Sequence, residues 1–294
     1  GIAVNFKLAY YNGENFGKVE FVMNGEVKQT ITSLPGKEDD RYVFRFTEIS
    51  PDQMAVPITV NFYLAGSTTP DTSVTKSVKD YCVSVLNNPD RGDDIKTVAM
   101  DLLNYGEAFQ QYKAERDGYE LDSAALITTG LTEEQKAYGT QTAEELESIQ
   151  RVGDQNGYAV QWHSFGLTLE DVVKVYYKVK IENGGTEGLT MKLQVAGKEF
   201  ELTEFADAGN NTYRVNFDKL NPVQMKEAIT AQVFKGGEAV SAEFVTSIES
   251  YAANATEDSV KSVVTEMMKY GNAVETWLEN ENNSSENPPV AATS

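Results

Sequence analysis

The sequence predicts an α+β chain, mainly β, built from two tandem immunoglobulin- or fibronectin-like β-sandwich modules, each followed by an α-helical hairpin. Three observations predict it. Residues 42–60 and 213–231 repeat at an offset of 171, with Tyr42/Tyr213, Phe46/Phe217, Pro51/Pro222, Gln53/Gln224, Met54/Met225, Ile58/Ile229 and Thr59/Thr230 identical. Apolar residues alternate through the first part of each copy, the pattern of half-buried strands. In the last part of each copy they recur at helical spacing instead. A long internal repeat fixes the architecture before any single element does.

Each copy opens on a strand. Val4, Phe6, Leu8 and Tyr10 alternate within Ala3–Tyr11, as do Val173, Val175, Tyr177, Val179 and Ile181. Two short strands follow, near 18–24 and 26–32 and near 189–195 and 198–203, with Gly25 and Gly197 between them as hairpin turns. Phe44 and Phe46, and Tyr213, Val215 and Phe217, mark the next strand. Ser50-Pro51-Asp52-Gln53 and Asn221-Pro222-Val223-Gln224 then read as helix starts, with a capping residue, Pro at the first helical position and Gln three residues on. One helical turn here leads into Ile58–Leu64 or Ile229–Phe234. Sandwiches of this type cross between their sheets in the same way. In the second copy Gly236-Gly237 leads to a last strand, Ala239–Phe244. A strand near Phe165–Leu169 brings that copy to about seven strands.

The helices come last. Val74, Val78, Tyr81, Cys82 and Val85 share one helical face, as do Phe244, Ile248, Tyr251, Ala252 and Ala255. The second helix carries Val98, Leu102, Tyr105, Phe109 and Tyr112, and its twin Val263, Met267, Tyr270, Val274 and Trp277. Asp93 and Asp258 stand at the helix starts, where negative charge is favourable. Gly106 and Gly271 lie inside these helices, where glycine costs about 0.5–1 kcal/mol relative to alanine. The same cost in both copies points to a close packing contact.

Four segments follow from this reading: module 1 over 1–113, a linker over 114–161, module 2 over 162–279, and a disordered tail over 280–294. Within the linker, Thr142–Val152 suits a short polar helix with Thr142 as cap and Glu145 three residues later. The tail is rich in Asn, Ser and Pro. The copies differ in one respect. Trp162–Leu169 precedes the main strand of the second copy, and nothing equivalent precedes Ile2. Either the first sandwich lacks its first strand, or it borrows one, with Ala124–Leu131 as the donor. The start at Gly1 without Met reads as a processed or trimmed terminus.

Composition narrows the function classes. The chain has 294 residues, 40% of them hydrophobic, and a net charge of −20. Such acidity repels phosphate backbones, which argues against nucleic acid as a partner. No apolar run reaches the 18 or so residues of a membrane span, so no membrane insertion is expected. The single cysteine, Cys82, excludes an internal disulfide and reads as a small buried hydrophobe. The single histidine, His163, excludes histidine-cluster metal sites. No P-loop, dinucleotide fingerprint or HExxH is present. With 45 acidic residues, any one carboxylate pair carries little meaning as a glycosidase signature.

Two places stand apart from the repeat. The loop Asn88-Pro89-Asp90-Arg91-Gly92-Asp93-Asp94 contains an Arg-Gly-Asp tripeptide and several oxygen ligands. It lacks the terminal Glu of a Ca²⁺ loop. An ordinary interhelical turn is the leading reading of Asp90, Arg91, Gly92 and Asp93, ahead of metal or integrin-type recognition. Trp162 has no counterpart in the first copy. It either packs at the module junction or stacks on a sugar ring.

Ser77-Val78-Lys79-Asp80-Tyr81-Cys82, followed by Leu102-Leu103-Asn104-Tyr105-Gly106-Glu107-Ala108, resembles a module of secreted and surface proteins of gut clostridia. In that module a Tyr-centred helix precedes a Leu-Asp-Tyr-Gly-Ala-Ala-like helix. His163-Ser164-Phe165-Gly166-Leu167-Thr168-Leu169-Glu170 is similar to its opening strand. The resemblance covers most of both repeats and implies an extracellular, wall-associated setting, with no activity and no functional residues. The expectation is therefore a non-catalytic secreted or cell-surface protein, a monomer without cofactor or metal, serving adhesion, ligand binding or spacing toward a surface protein or glycan. A carbohydrate-binding module and a cryptic glycosidase are the alternatives.

Overall fold

The structure, a computed structural model, describes residues 2–8, 15–38, 40–142, 145–169, 173–182 and 185–286. It is α+β with mostly strands, arranged in several antiparallel sheets. The first unit contains β1 (Ile2–Leu8), β2 (Phe16–Met23), β3 (Glu26–Ile31), β4 (Lys37–Glu38), β5 (Arg41–Ile49), β6 (Ile58–Leu64) and β7 (Thr72–Lys76), then α1 (Val78–Leu86) and α2 (Asp93–Asp117). Its sheets run β1-β5-β4 and β3-β2-β6-β7. Phe6, Phe44 and Phe46 of the first sheet meet Val19, Phe21 and Val60 of the second in one core. Phe21 stacks on Phe46 with centroids 5.3 Å apart. Tyr10, which the strand alternation included, lies outside the described residues.

The second unit repeats this order with additions. It comprises β8 (Arg151–Val152), β9 (Val160–Leu169), β10 (Val173–Ile181), β11 (Leu189–Val195), β12 (Lys198–Leu202), β13 (Ala206–Asp207), β14 (Thr212–Phe217), β15 (Ile229–Lys235), β16 (Glu238–Ala239) and β17 (Phe244–Thr246). A short α3 (Glu133–Lys136) precedes it, and α4 (Ile248–Asn254) and α5 (Asp258–Glu286) close it. Its sheets run β13-β14-β10-β9 and β12-β11-β15-β17-β8. The hairpin turns fall where the glycines predict. Asn24 and Gly25 (φ 55° and 77°), like Ala196 and Gly197 (49° and 71°), are left-handed pairs suited to two-residue loops between twisted strands.

The repeated phrases turn out to touch each other. Pro51–Gln53 and Pro222–Gln224 each form one 3₁₀ turn. Behind each turn lies the mid-helix glycine of the same unit. A Cβ on Gly271 would stand 2.2 Å from the Pro222 carbonyl oxygen, and one on Gly106 would stand 2.8 Å from that of Pro51. Glycine therefore allows the helix backbone to lie directly on the corner turn, and this contact explains its cost in both copies.

Several boundaries differ from the sequence reading. Ser77 and Ser247 cap α1 and α4, accepting from the amides of Asp80 (3.0 Å) and Ser250 (2.9 Å). Val74 and Phe244 lie before these caps, so they sit in strands rather than on the helical face, and the last strand of the second unit divides into β16 and β17. Helix α2 continues to Asp117 and ends at Gly118 in the left-handed region (φ 70°). The segment expected as a linker is packed on α2. Ile127 N donates to Gln110 Oε1 (3.0 Å), Thr128 N donates to Glu107 Oε2 (2.9 Å), and Ile127 and Leu131 are buried in the first core.

That geometry also overturns strand borrowing by Ala124–Leu131. The amides of Ile127 and Thr128 are taken by helix side chains, so the segment forms turns against α2 instead of pairing with β1. The expected helix over Thr142–Val152 is likewise absent over 145–152, residues 143–144 lying outside those described. There Glu147 N and Ile149 N donate to Glu249 Oε1 and Ser250 Oγ of α4 (3.3 and 2.9 Å), and Arg151–Val152 joins β17. Finally, α5 runs to Glu286, so 280–286 is helical rather than disordered. Past Trp277 the helix is tied to α2, where Asn280 Nδ2 donates to Asp94 Oδ2 (3.3 Å). Residues 287–294 lie outside those described.

Candidate binding site

The two units meet through their long helices. α2 and α5 lie antiparallel, with Asn280 beside Asp94 and with Tyr105 and Tyr270 adjacent near mid-length. Tyr105, Ala108 and Phe109 of α2 enter the core of the second unit, while Ala99, Met100 and Leu103 of the same helix enter the first. In the reverse direction, Tyr270 approaches Cys82 of α1. Helix α2 thus serves two cores, a role that a single apolar stripe does not reveal.

A cavity of about 680 Å³ lies at this junction. Its floor is formed by repeat-related residues: Pro51 and Pro222, Leu102 and Met267, Tyr105 and Tyr270. Val78 and Tyr81 of α1 line one wall, and Val173, Leu220 and Met225 line the other. The remaining wall is β1, through Ile2, Ala3, Val4, Asn5 and Lys7, with Arg45 of β5 beside it. Asn5 and Arg45 are register partners. Lys7 also pairs with Glu38 at 3.0 Å. Burial raises both tyrosine hydroxyls above the ordinary tyrosine range, and each is raised further by a neighbour, Tyr105 by Tyr270 and Tyr270 by Cys82. Both therefore stay protonated. The lining is aromatic and aliphatic with two cations and an amide, and among the described residues it contains no carboxylate. The volume falls within the usual range for small-ligand pockets.

A second, more polar cavity of about 370 Å³ lies against α2 and α5, with Glu107, Lys136, Glu266 and Lys269 in its lining. Next to it Asp101 is fully buried. It accepts from Thr140 N (2.8 Å) and Oγ1 (2.6 Å), and burial raises its carboxyl above the ordinary aspartate value. Those bonds give Asp101 a structural task, tying the loop after α3 to α2. Glu266 pairs with Lys269 at 2.8 Å through Oε1, while its other oxygen is buried without a hydrogen-bond partner.

The sequence-derived candidates lie elsewhere. Trp162 is buried within the second unit, against Tyr177 and Phe244 (5.6 and 5.3 Å), with its Nε1 donating to Ala242 O (2.7 Å). It offers no face to a sugar and is not at the junction, because β9 lays it into the core. Asp90, Arg91, Gly92 and Asp93 are exposed and form an ordinary turn: Asp90 N donates to Asn88 Oδ1 (2.9 Å), and Gly92 caps α2. None of them lines the inter-unit cavity. Cys82 is buried and its thiol is pushed up to about 12 by desolvation. His163 is exposed on β9. No group of three or more metal-ligating side chains occurs among the described residues. No described helix is long and apolar enough to cross a membrane.

Tyr81 was grouped with the apolar face of α1, yet it is 62% exposed. Its counterpart Tyr251 is half-buried against Phe165 of β9, with ring centroids 6.1 Å apart. The cavity itself was not legible in the sequence, since β1, β5, β10, α1, α2, α5 and both corner turns all contribute to it. A partial signal existed: Tyr105-Gly106 and Tyr270-Gly271 recur in both copies. The chain matches no protein-family model and no curated protein.

Proposed function

We propose that the protein is a non-catalytic binding protein of the cell surface or extracellular space. In this reading its two immunoglobulin- or fibronectin-like modules form a fixed pair that presents one ligand site between them. The observation that carries the reading is the cavity of about 680 Å³ formed where the repeat-related Pro51/Pro222 and Tyr105/Tyr270 converge. Its lining suits desolvation and hydrogen bonding of a ligand more than bond cleavage, because the cations, the amide and protonated tyrosines supply donors around an apolar floor. The resemblance of the helical phrases to clostridial surface modules supports the extracellular setting. The net charge of −20 supports solubility and disfavours polyanionic partners.

A carbohydrate-binding reading has one observation of its own: Tyr81 presents an exposed ring at the cavity wall, and such a ring stacks on sugars. Titration of the full chain against a glycan array and a panel of extended peptides tests the site. Binding that is lost in Tyr105→Ala and Tyr270→Ala supports the reading. Turnover of any glycoside would overturn the non-catalytic assignment, and a ligand that ignores both substitutions would remove the cavity from it.

A further inference from the structure

One sheet face of the second unit is basic, in a chain whose net charge is −20. Pairing in the sheet β13-β14-β10-β9 puts Lys174, Tyr176, Lys178 and Lys180 of β10 on the side away from the core, with Arg214 and Asn216 of β14 beside them. Among the described residues, no outward position of these four strands is acidic. Aspartate and glutamate make up 45 of the 294 residues, so their absence from a whole face runs against the composition.

The charge on this face does not serve the fold. Lys178 and Arg214 are register partners, so two cations stand directly opposite each other on neighbouring strands. Like charges in that position are destabilising. Among the described residues neither has a carboxylate partner. Other sheet cations are neutralised: Lys192 of β11 lies 3.1 Å from both Glu199 and Glu201 of β12, and Lys180 lies 3.4 Å from Glu182. Arg214 is held by neutral groups alone. Its guanidinium carbon lies 3.9 Å from the centroid of the Tyr176 ring, its Nε donates to Asn216 Oδ1 (2.8 Å) and its Nη2 to Thr168 Oγ1 (2.9 Å). Tyr176 in turn lies against the backbone of Gly166, where a Cβ would stand 2.4 Å from the ring. The guanidinium is thus oriented while its charge stays uncompensated, and Nη1 still has two N–H donors to give.

We propose that this face binds a short oligosaccharide bearing carboxylate groups, a uronate-type ligand. The planar guanidinium of Arg214 matches a carboxylate, and Lys178 opposite it supplies a second cation. Lys174, four residues along β10 and so about 13 Å away, reaches a further sugar unit. A polypeptide fits less well. β10 lies between β9 and β14, and β14 between β10 and β13, so the middle of the face leaves no strand edge open to a peptide backbone. The face also offers no bulky apolar anchor, because Arg214 covers the Tyr176 ring. The exposed Ser164 and Asn216 suit sugar hydroxyls instead. The net charge of −20 opposes long polyanions, but screening over about 8 Å at physiological salt confines that opposition to ligands that extend beyond the face. Lys174, Tyr176, Lys178 and Arg214 are not part of the lining of the inter-unit cavity, so this is a second site, independent of that one.

The test titrates the full chain with a galacturonate hexamer, the methyl ester of the same hexamer, and a hexaglutamate peptide. Expected are saturable binding of the acidic sugar, none of its ester, and weaker binding of the peptide. Arg214→Gln and Lys178→Gln should each weaken binding about tenfold. Lys192→Gln, on the other sheet and already paired, should leave it unchanged. Lys178→Gln should also raise the urea midpoint at low salt, because it removes one of two opposed charges. A purely structural lysine would lower it. Several results overturn the proposal: no binding of the acidic hexamer, equal binding of its ester, peptide binding as tight as the sugar's, or a lower midpoint in Lys178→Gln with binding intact. Binding that is lost in Tyr105→Ala but kept in Arg214→Gln and Lys178→Gln would put the ligand in the cavity; this inference then falls and the proposed function stands.

Discussion

The two units share corner turn, glycine contact and helical pair, but they differ in what closes the sheets. The second has β9 against β10 and β8 against β17, and its β17 is buried throughout. Among the described residues the sheets of the first end at β1 and β7, and every residue of β7 is exposed. Matching residues therefore work at different depths. The difference teaches that sequence identity between copies marks the parts that contact their own unit, while neighbouring strands decide how far each core is sealed.

The largest expected effect uses one matched pair. Phe244 is 4% exposed and packs against Trp162, Phe165 and Tyr177. Phe244→Ala should cost about 3–5 kcal/mol in urea unfolding, whereas Val74→Ala, on an exposed edge strand, should cost less than about 1 kcal/mol. Equal costs would break the comparison. The glycines come next. Gly271→Ala forces a methyl against the Pro222 carbonyl, and Gly106→Ala forces one against the Met54 methyl as well as the Pro51 carbonyl. Overpacking should cost about 1–3 kcal/mol net of the helix propensity gained, with the larger loss at Gly271, where the obstacle is backbone at closer range.

Tyr177 sharpens the comparison in the stabilising direction. Its hydroxyl is buried without a hydrogen-bond partner, and the first unit has Phe6 at that position. Tyr177→Phe should stabilise the chain by about 1 kcal/mol, read as a rise in the denaturation midpoint. The smallest effect concerns Cys82, matched by Ala252. Cys82→Ala should cost about 1 kcal/mol or less near neutral pH. The thiol value is raised on folding from the ordinary 9.0 to about 12, so the folded state favours the protonated form. That contribution is complete below 9.0 and is lost as pH rises toward 12. The difference between wild type and Cys82→Ala should therefore shrink in alkaline buffer, and iodoacetamide should label the thiol only after unfolding.

Much of this architecture was legible in the residues. Alternation placed the strands, Pro51 and Pro222 placed the corner turns, and the shared glycines marked a close contact. Composition places Trp162 at the module junction or on a sugar ring, whereas β9 lays it into the core of the second unit against Tyr177 and Phe244. The linker was misread because local composition does not show that Glu107 and Gln110 capture the amides of Thr128 and Ile127. The inter-unit cavity arises only after α2 and α5 pack. Periodicity places Tyr105 and Tyr270 on a stripe but does not say that each faces the opposite unit.

Amide hydrogen exchange on the free chain tests the central claim, that the two units share one arrangement and differ in how far neighbouring strands seal it. Peptides covering residues 2–8 should exchange at least about tenfold faster than those covering 173–181, since among the described residues β1 is paired on one side and β10 on both. Equal protection of the two strands would contradict the account.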